Sequence, residues 1–302
     1  MNKELQTALI QMTRRIAALL STCEPSVFLY GSVALDDFRP GWSDIDILVL
    51  TNTQISEDQA KRLVTLRETM MEATGDAYCR AFEGGMLTLD AFASGKPDRV
   101  VYWGTGGARI IDRYRLDAFC MSELLDSGVL LHGRDVRMRF ERPAYAELAL
   151  AAKRHCETIR KYARQTDRSL YSYGWLLDIS RCIYTLRTGR IIAKTAAGEW
   201  ALREGICPCA EALAWAVEVR RAPAKYKADK HTLDMPKRSA TAFKATRTCW
   251  KTNWINACKN APPAVKPGEQ ASFHTTVKTI SPALPPEQSR SRPRAPCPPY
   301  RR

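Results

Sequence analysis

The first pattern along the chain is a helical one: Leu5, Leu9, Met12, Ile16 and Leu19 recur at spacings of four and three, which lays one apolar face along an amphipathic helix. Two short β-favouring runs follow, Val27–Tyr30 and Ile45–Leu50, the first stopping at Gly31-Ser32 and the second entered through Ser43-Asp44. This predicts two buried strands flanking a turn. Residues 57–73 have the period of a second amphipathic helix, with Gly75 placed to end it, and Cys79–Ala93 is expected to be extended, interrupted at Gly84-Gly85. From about Asp117 the helical period dominates, in segments near 117–126, 144–165, 170–187, 194–204 and 210–221. No internal repeat is visible. The pattern predicts a mixed domain over residues 1–115 and a helical domain over 116–227.

Charge changes this picture only at one end. The net charge of +14 invites a nucleic-acid reading, yet residues 225–302 hold 16 Lys and Arg against 4 Asp and Glu, so +12 of it lies there and +2 over the rest. The same stretch holds 11 of the 17 prolines. Residues 228–302 are therefore expected to be a basic, Pro-rich tail that stays disordered, able to touch nucleic acid only non-specifically. The ten cysteines are scattered, with Cys207 and Cys209 alone lying close together, a poor zinc pattern. Arg14 and Arg15 break the N-terminal apolar run, and no segment approaches the roughly 18 apolar residues that span a bilayer. A cytoplasmic protein without membrane contact is expected, and a monomer.

The chemistry lies in FLYGSVALDDFRPGWSDIDILVL, residues 28–50. At the end of a strand, Gly31 permits close approach of a phosphate, and Ser32 offers an amide and a hydroxyl. Because strand side chains alternate, Asp44 and Asp46 project from one face while Ile45 points into the core. Two such carboxylates make a hard-oxygen site suited to Mg²⁺, completed by substrate phosphates and water. Ser43, beside the pair, is placed to touch the triphosphate. Each piece alone is common, Gly-Ser as a turn and Asp-x-Asp as a strand end; their order and spacing together are not.

Gly31-Ser32 with Asp44-Ile45-Asp46 resembles the signature of the polymerase-β-type nucleotidyltransferases. The remainder resembles their aminoglycoside nucleotidyltransferase branch, of the streptomycin/spectinomycin adenylyltransferase type. The likeness runs from about residue 10 to about 227, through YWGTGGARIIDRY, ELLDSGVLLHG and LLDISRCIYTLRTGRIIAKTAAGEWAL at 176–202. It implies an α+β fold: a mixed-sheet nucleotidyltransferase domain followed by a helical bundle. It also implies ATP as nucleotide donor, with Arg181 and Lys194 contacting its triphosphate alongside Ser43. The acceptor it implies is a small molecule, a polycationic antibiotic. A third carboxylate is expected as general base, and Glu83, 37 residues beyond Asp46, is close to where that family has its strand-borne Glu. Asp90 in LTLDAFA is the alternative. Asp36, Asp37, Trp103, Asp112 and Tyr173 are available to line an acceptor cleft, and nothing in the sequence ranks them.

The resemblance fails after Arg220-Arg221-Ala222-Pro223, where the family continues with a further helical stretch and this chain turns basic and proline-rich, as a frame-shifted or replaced C-terminus would. Two other readings stand beside the antibiotic-modifying one. The first is a nucleotidyltransferase acting on protein or RNA, and the second a degraded, inactive relative with a basic nucleic-acid-binding tail.

Overall fold

The computed structural model describes residues 1–73, 77–104, 106–162, 170–230 and 232. It opens with helix α1 (Lys3–Leu19), strand β1 (Ser26–Tyr30), the single turn α2 (Gly31–Ala34) and strand β2 (Ile45–Thr51). Helices α3 (Glu57–Ala73) and α4 (Ala77–Arg80) lead to β3 (Phe82–Thr88), α5 (Leu89–Ser94), β4 (Val100–Gly104) and β5 (Gly107–Ile111). Helix α6 (Ala118–Ser127) and strand β6 (Val129–His132) follow. The remaining elements are helices: α7 (Tyr145–Tyr162), α8 (Tyr171–Thr188), α9 (Lys194–Arg203), α10 (Ala210–Arg221) and α11 (Pro223–Tyr226).

The six strands form one mixed sheet in the order β5-β4-β3-β2-β1-β6. Only β2 and β3 run parallel, an arrangement that needs a crossover, which α3 and α4 supply. β1 is buried along its whole length because both faces are covered. Val27 and Leu29 pack with Ile45, Ile47 and Val49 under the apolar stripe of α1, where Leu5, Leu9, Met12 and Ile16 lie as the spacing predicts. Phe28, Tyr30, Leu48 and Leu50 point the other way, toward Leu89, Phe92 and Leu124 of α5 and α6. Asn2 starts α1 by accepting the Leu5 N–H at 2.9 Å. The α+β architecture of a mixed-sheet domain followed by helices is thus present.

Three expectations are corrected. Cys79 lies in the turn of helix α4, and β3 runs without a break through Gly84 and Gly85. The glycines are there for room: a Cβ at residue 84 would stand 1.7 Å from the Ile47 carbonyl oxygen, and one at 85 would stand 2.4 Å from the Tyr114 ring. Residues 89–94 are helical, capped by the Thr88 side chain on the Ala91 N–H. The region from 116 onward is not uniformly helical either, since Val129–His132 returns to the sheet beside β1, and the elements become helical throughout only from Tyr145. Four residues are too few to carry a visible period.

Past residue 227 the chain still packs. Thr232 is fully buried, its N–H bonds Asp229 at 2.8 Å, and its carbonyl accepts the Tyr173 hydroxyl at 2.6 Å. The rest of the expected tail lies outside the described residues, as do Gly75 and the end of the helix expected to reach 165. Among the described residues no helix is long and apolar enough to cross a membrane.

Candidate active site

The site is built where β1 ends and β2 begins. Tyr30, the last residue of β1, pairs with Asp46, and the parallel register of β2 on β3 sets Asp46 directly opposite Glu83. Paired residues on adjacent strands project from the same face, so this register brings together carboxylates 37 positions apart in sequence. Asp44 precedes β2 and is anchored through its neighbour: the Ile45 N–H bonds the Ala81 carbonyl at 2.7 Å.

Gly31 has φ +67°, and a Cβ there would come within 2.0 Å of Asp46 Oδ2. The carboxylate, as well as any phosphate, therefore demands glycine at this position. The Ser32 hydroxyl donates to the Asp44 carbonyl at 3.2 Å, stitching the two halves of the motif together. Ser43 accepts the Arg39 N–H at 3.0 Å and closes the turn before Asp44. The serines thus hold the loop in shape with the groups that sequence reasoning assigned to phosphate.

The electrostatics of the carboxylates are one-sided. Burial, and then the charge of Glu83, push Asp44 up to about 6, against smaller opposing pulls from Lys194 and Arg67. Asp46 is pushed well above the ordinary carboxylate range, first by burial and then by Glu123, Asp44 and Glu83, with Lys194 opposing. Excess negative charge is concentrated here with little to balance it. Among the described residues no three Asp, Glu, His or Cys side chains converge closely enough to enclose an ion unaided. Such a donor set fits a hard cation that brings further oxygen ligands with it.

Glu83 has its own partner. The Tyr102 hydroxyl on β4 donates to Glu83 Oε1 at 2.5 Å, while the Arg109 guanidinium lies 4.8 Å from the Tyr102 ring. Burial, and then this bond, push Tyr102 up to about 12, so it remains a donor. Asp90, the alternative to Glu83, is on the outer turn of α5, where its carboxylate is exposed and meets Arg139 at 3.2 Å. It lies beyond the end of β3, two residues past Thr88, which pairs with Thr51 at the end of β2 remote from Asp46.

The second domain contributes cations. Lys194, the first residue of α9, acts on both Asp44 and Asp46 and bonds Asp178 at 3.0 Å. Arg181 on α8 is buried between Glu123 at 2.8 Å and Asp178 at 3.3 Å, over the ring of Phe119. Burial alone would raise Asp178, but Lys194, His155 and Arg181 together hold it far below the usual carboxylate range. Glu123 goes the other way, because burial outweighs Arg181.

Of the residues offered for an acceptor cleft, Trp103 and Tyr173 are core residues, and Asp37 is buried in a contact between the domains. Asp36 and Asp112 are exposed. Tyr102, Glu123 and Asp178 are missed by the sequence reading. On an amphipathic helix an acid reads as the solvent face, and only the fold reveals that the helices bury these two against cations. A cavity of about 580 Å³, lined by Phe92, Arg115, Met121 and Phe140 among others, contains none of the carboxylates described above.

Two family models and a solved structure match the chain. Residues 14–75 match the family model described as nucleotidyltransferase domain, and residues 144–246 match the one described as aminoglycoside adenylyltransferase, C-terminal domain. The second match passes the expected boundary at 227. A solved structure, described as spectinomycin adenyltransferase AAD(9) from Enterococcus faecialis with ATP and spectinomycin, superimposes with a TM-score of 0.56 at 15% identity. It covers 80% of this chain and 98% of that one, a likeness of fold. No curated protein matches.

Proposed function

We propose that this chain, which belongs to the nucleotidyltransferases carrying an aminoglycoside adenylyltransferase C-terminal domain, transfers AMP from ATP to a hydroxyl of a small polycationic acceptor, an aminoglycoside or aminocyclitol. The observation that carries the reading is the strand register that sets Asp46 opposite Glu83, with Asp44 beside them and Lys194 approaching from the second domain.

Asp44 and Asp46 would hold Mg²⁺, which supplies neutralisation of the phosphate charge that keeps a nucleophile away. Glu83, oriented by Tyr102, takes the proton of the acceptor hydroxyl through the oxygen that Tyr102 does not bind. The acceptor oxygen bonds to the α-phosphorus, the bond from that phosphorus to the bridging oxygen of the β-phosphate breaks, and pyrophosphate leaves with the electron pair. Lys194 is the cation placed to meet the triphosphate, and Arg181, locked between two carboxylates, contributes its field. The same surplus of negative charge that raises Asp44 and Asp46 attracts a cationic acceptor. The neighbour described with ATP and spectinomycin supports this acceptor class over protein or RNA.

The test is pyrophosphate release from ATP and Mg²⁺ across a panel of aminoglycosides and aminocyclitols. Turnover with at least one member and none without acceptor is expected. Release with none of the panel would overturn the acceptor class, and absence of ATP binding would overturn the reading altogether.

A further inference from the structure

Asp37 lies in the loop between Ser32 and Asp44 and is 3% exposed. It belongs to the sheet domain, yet most of its partners belong to the helical one. Its carboxylate accepts the Thr195 hydroxyl at 2.6 Å and the Thr195 N–H at 3.2 Å. It accepts Nε of Arg220 at 3.1 Å, while that guanidinium also donates to the Asp37 backbone carbonyl at 3.2 Å. From its own side, Arg39 donates at 3.1 Å.

The bond to the Thr195 N–H has a particular meaning. Helix α9 starts at Lys194, and the residue in its capping position, Ala193, has no side chain that could satisfy the first N–H groups. Asp37 satisfies one of them from the other domain, and its negative charge stands at the positive end of the helix. Lys194 is the residue immediately before the one so held. The clasp reaches the other side of the site as well, because Arg220 lies 5.4 Å from the ring of Trp42, two residues before Asp44.

We infer that Asp37 is a positioning residue: it caps α9 across the domain boundary and thereby sets Lys194 against Asp44 and Asp46 at the distance the nucleotide requires. The inference rests on reading Lys194 as a nucleotide contact. A carboxylate that only glued the domains would need Arg220 alone. The two bonds to Thr195 fix the register of the helix that carries the lysine.

A double-mutant cycle separates these roles. ATP dissociation constants are measured by titration calorimetry with Mg²⁺ and no acceptor for the wild type, Asp37→Asn, Lys194→Ala and the pair. Asp37→Asn is expected to weaken ATP binding about tenfold, the scale of a lost charge-assisted bond, and to add nothing once Lys194 is gone. Thr195→Val, which keeps the Asp37–Arg220 pair, serves where Asp37→Asn folds poorly, and is expected to weaken binding about threefold with the same non-additivity. Full additivity in the Asp37→Asn cycle, or an Asp37→Asn protein that folds and binds ATP as the wild type does, would overturn the inference alone. A Lys194→Ala protein that binds ATP as the wild type does would remove the reading of Lys194, and the inference with it.

Discussion

Asp44→Asn should make the free protein more stable while destroying its activity. Asp44 stands at about 6 against an ordinary 3.8, chiefly from burial and then from Glu83. At 1.36 kcal/mol per unit, holding it ionised at neutral pH costs the fold about 3 kcal/mol. Part of the carboxylate meets water, and screening leaves about 1–2 kcal/mol. The amide keeps the shape and removes that cost. For a protein of this size each kcal/mol moves the melting temperature by about 2–4 °C, so a rise of about 3–6 °C is expected at pH 7.5 with a chelator present. The sign with pH is fixed by the direction of the shift. A carboxylate raised in the folded state binds protons there before it does in the unfolded chain, so wild-type stability recovers as pH falls from about 6 toward 3.8, and the advantage of the variant disappears over that window. Scanning calorimetry of both proteins at pH 7.5, 6 and 4.5 reads the effect directly. An Asp44→Asn protein that melts below the wild type at pH 7.5, or a gap that stays constant with pH, would refute this account of a carboxylate raised by burial and by Glu83.

Asp46→Asn should lose at least ~100-fold in turnover, as expected when a main stabiliser of the transition state goes, without lowering the melting temperature, because the amide removes a carboxyl that burial and neighbouring carboxylates push well above its ordinary range; pyrophosphate release with wild-type rate would remove Asp46 from the metal site. Gly31→Ala places a methyl 2.0 Å from Asp46 Oδ2 at φ +67°, so it should both destabilise by about 1–3 kcal/mol and reduce turnover at least ~10-fold; an active, equally stable protein would contradict the close approach. Arg220→Met strips a buried carboxylate of its ion pair and should cost about 3 kcal/mol in denaturant unfolding, and a loss within 0.5 kcal/mol would show that Arg39 and Thr195 suffice for Asp37. Tyr102→Phe should lower kcat severalfold with the KM for ATP unchanged, since the hydroxyl touches Glu83 and not the nucleotide; a change confined to the KM for ATP would contradict its assignment to Glu83.

The parts of this molecule legible in sequence are those encoded by short-range periodicity. The stripe Leu5, Leu9, Met12, Ile16 announces α1, and the apolar run behind Ser43-Asp44 announces β2 with Ile45 turned into the core, because each depends only on residues a turn or a pleat apart. The parts that were not legible depend on what a residue meets. Gly84 and Gly85 look like a break until the Ile47 carbonyl and the Tyr114 ring are in place beside them. Glu83 is preferred to Asp90 in sequence only through a resemblance, and it is the parallel pairing of β3 on β2 that sets Glu83 opposite Asp46. Asp36 and Asp37 stand side by side as candidates for an acceptor cleft, and nothing local says that one of the two is exposed and the other buried against Thr195 and Arg220.

The buried carboxylates fall into two electrostatic kinds, and the difference locates the function. Asp37 is surrounded by donors, and Asp178 is held far down by Lys194, His155 and Arg181 despite its burial. Their charges are satisfied within the protein, and both sit where helices must be joined to each other or to the sheet domain. Asp44 and Asp46 are raised, first by burial and then by neighbouring carboxylates, with Lys194 as the main opposing charge. A fold selected for stability alone would not keep like charges paired across adjacent strands, where each pair costs stability. On the proposed function the missing positive charge would arrive with the metal and substrate, so that binding energy and the relief of repulsion fall in the same step. On that reading the stability lost in the free protein is recovered on binding, and the unbalanced charge is what marks the site.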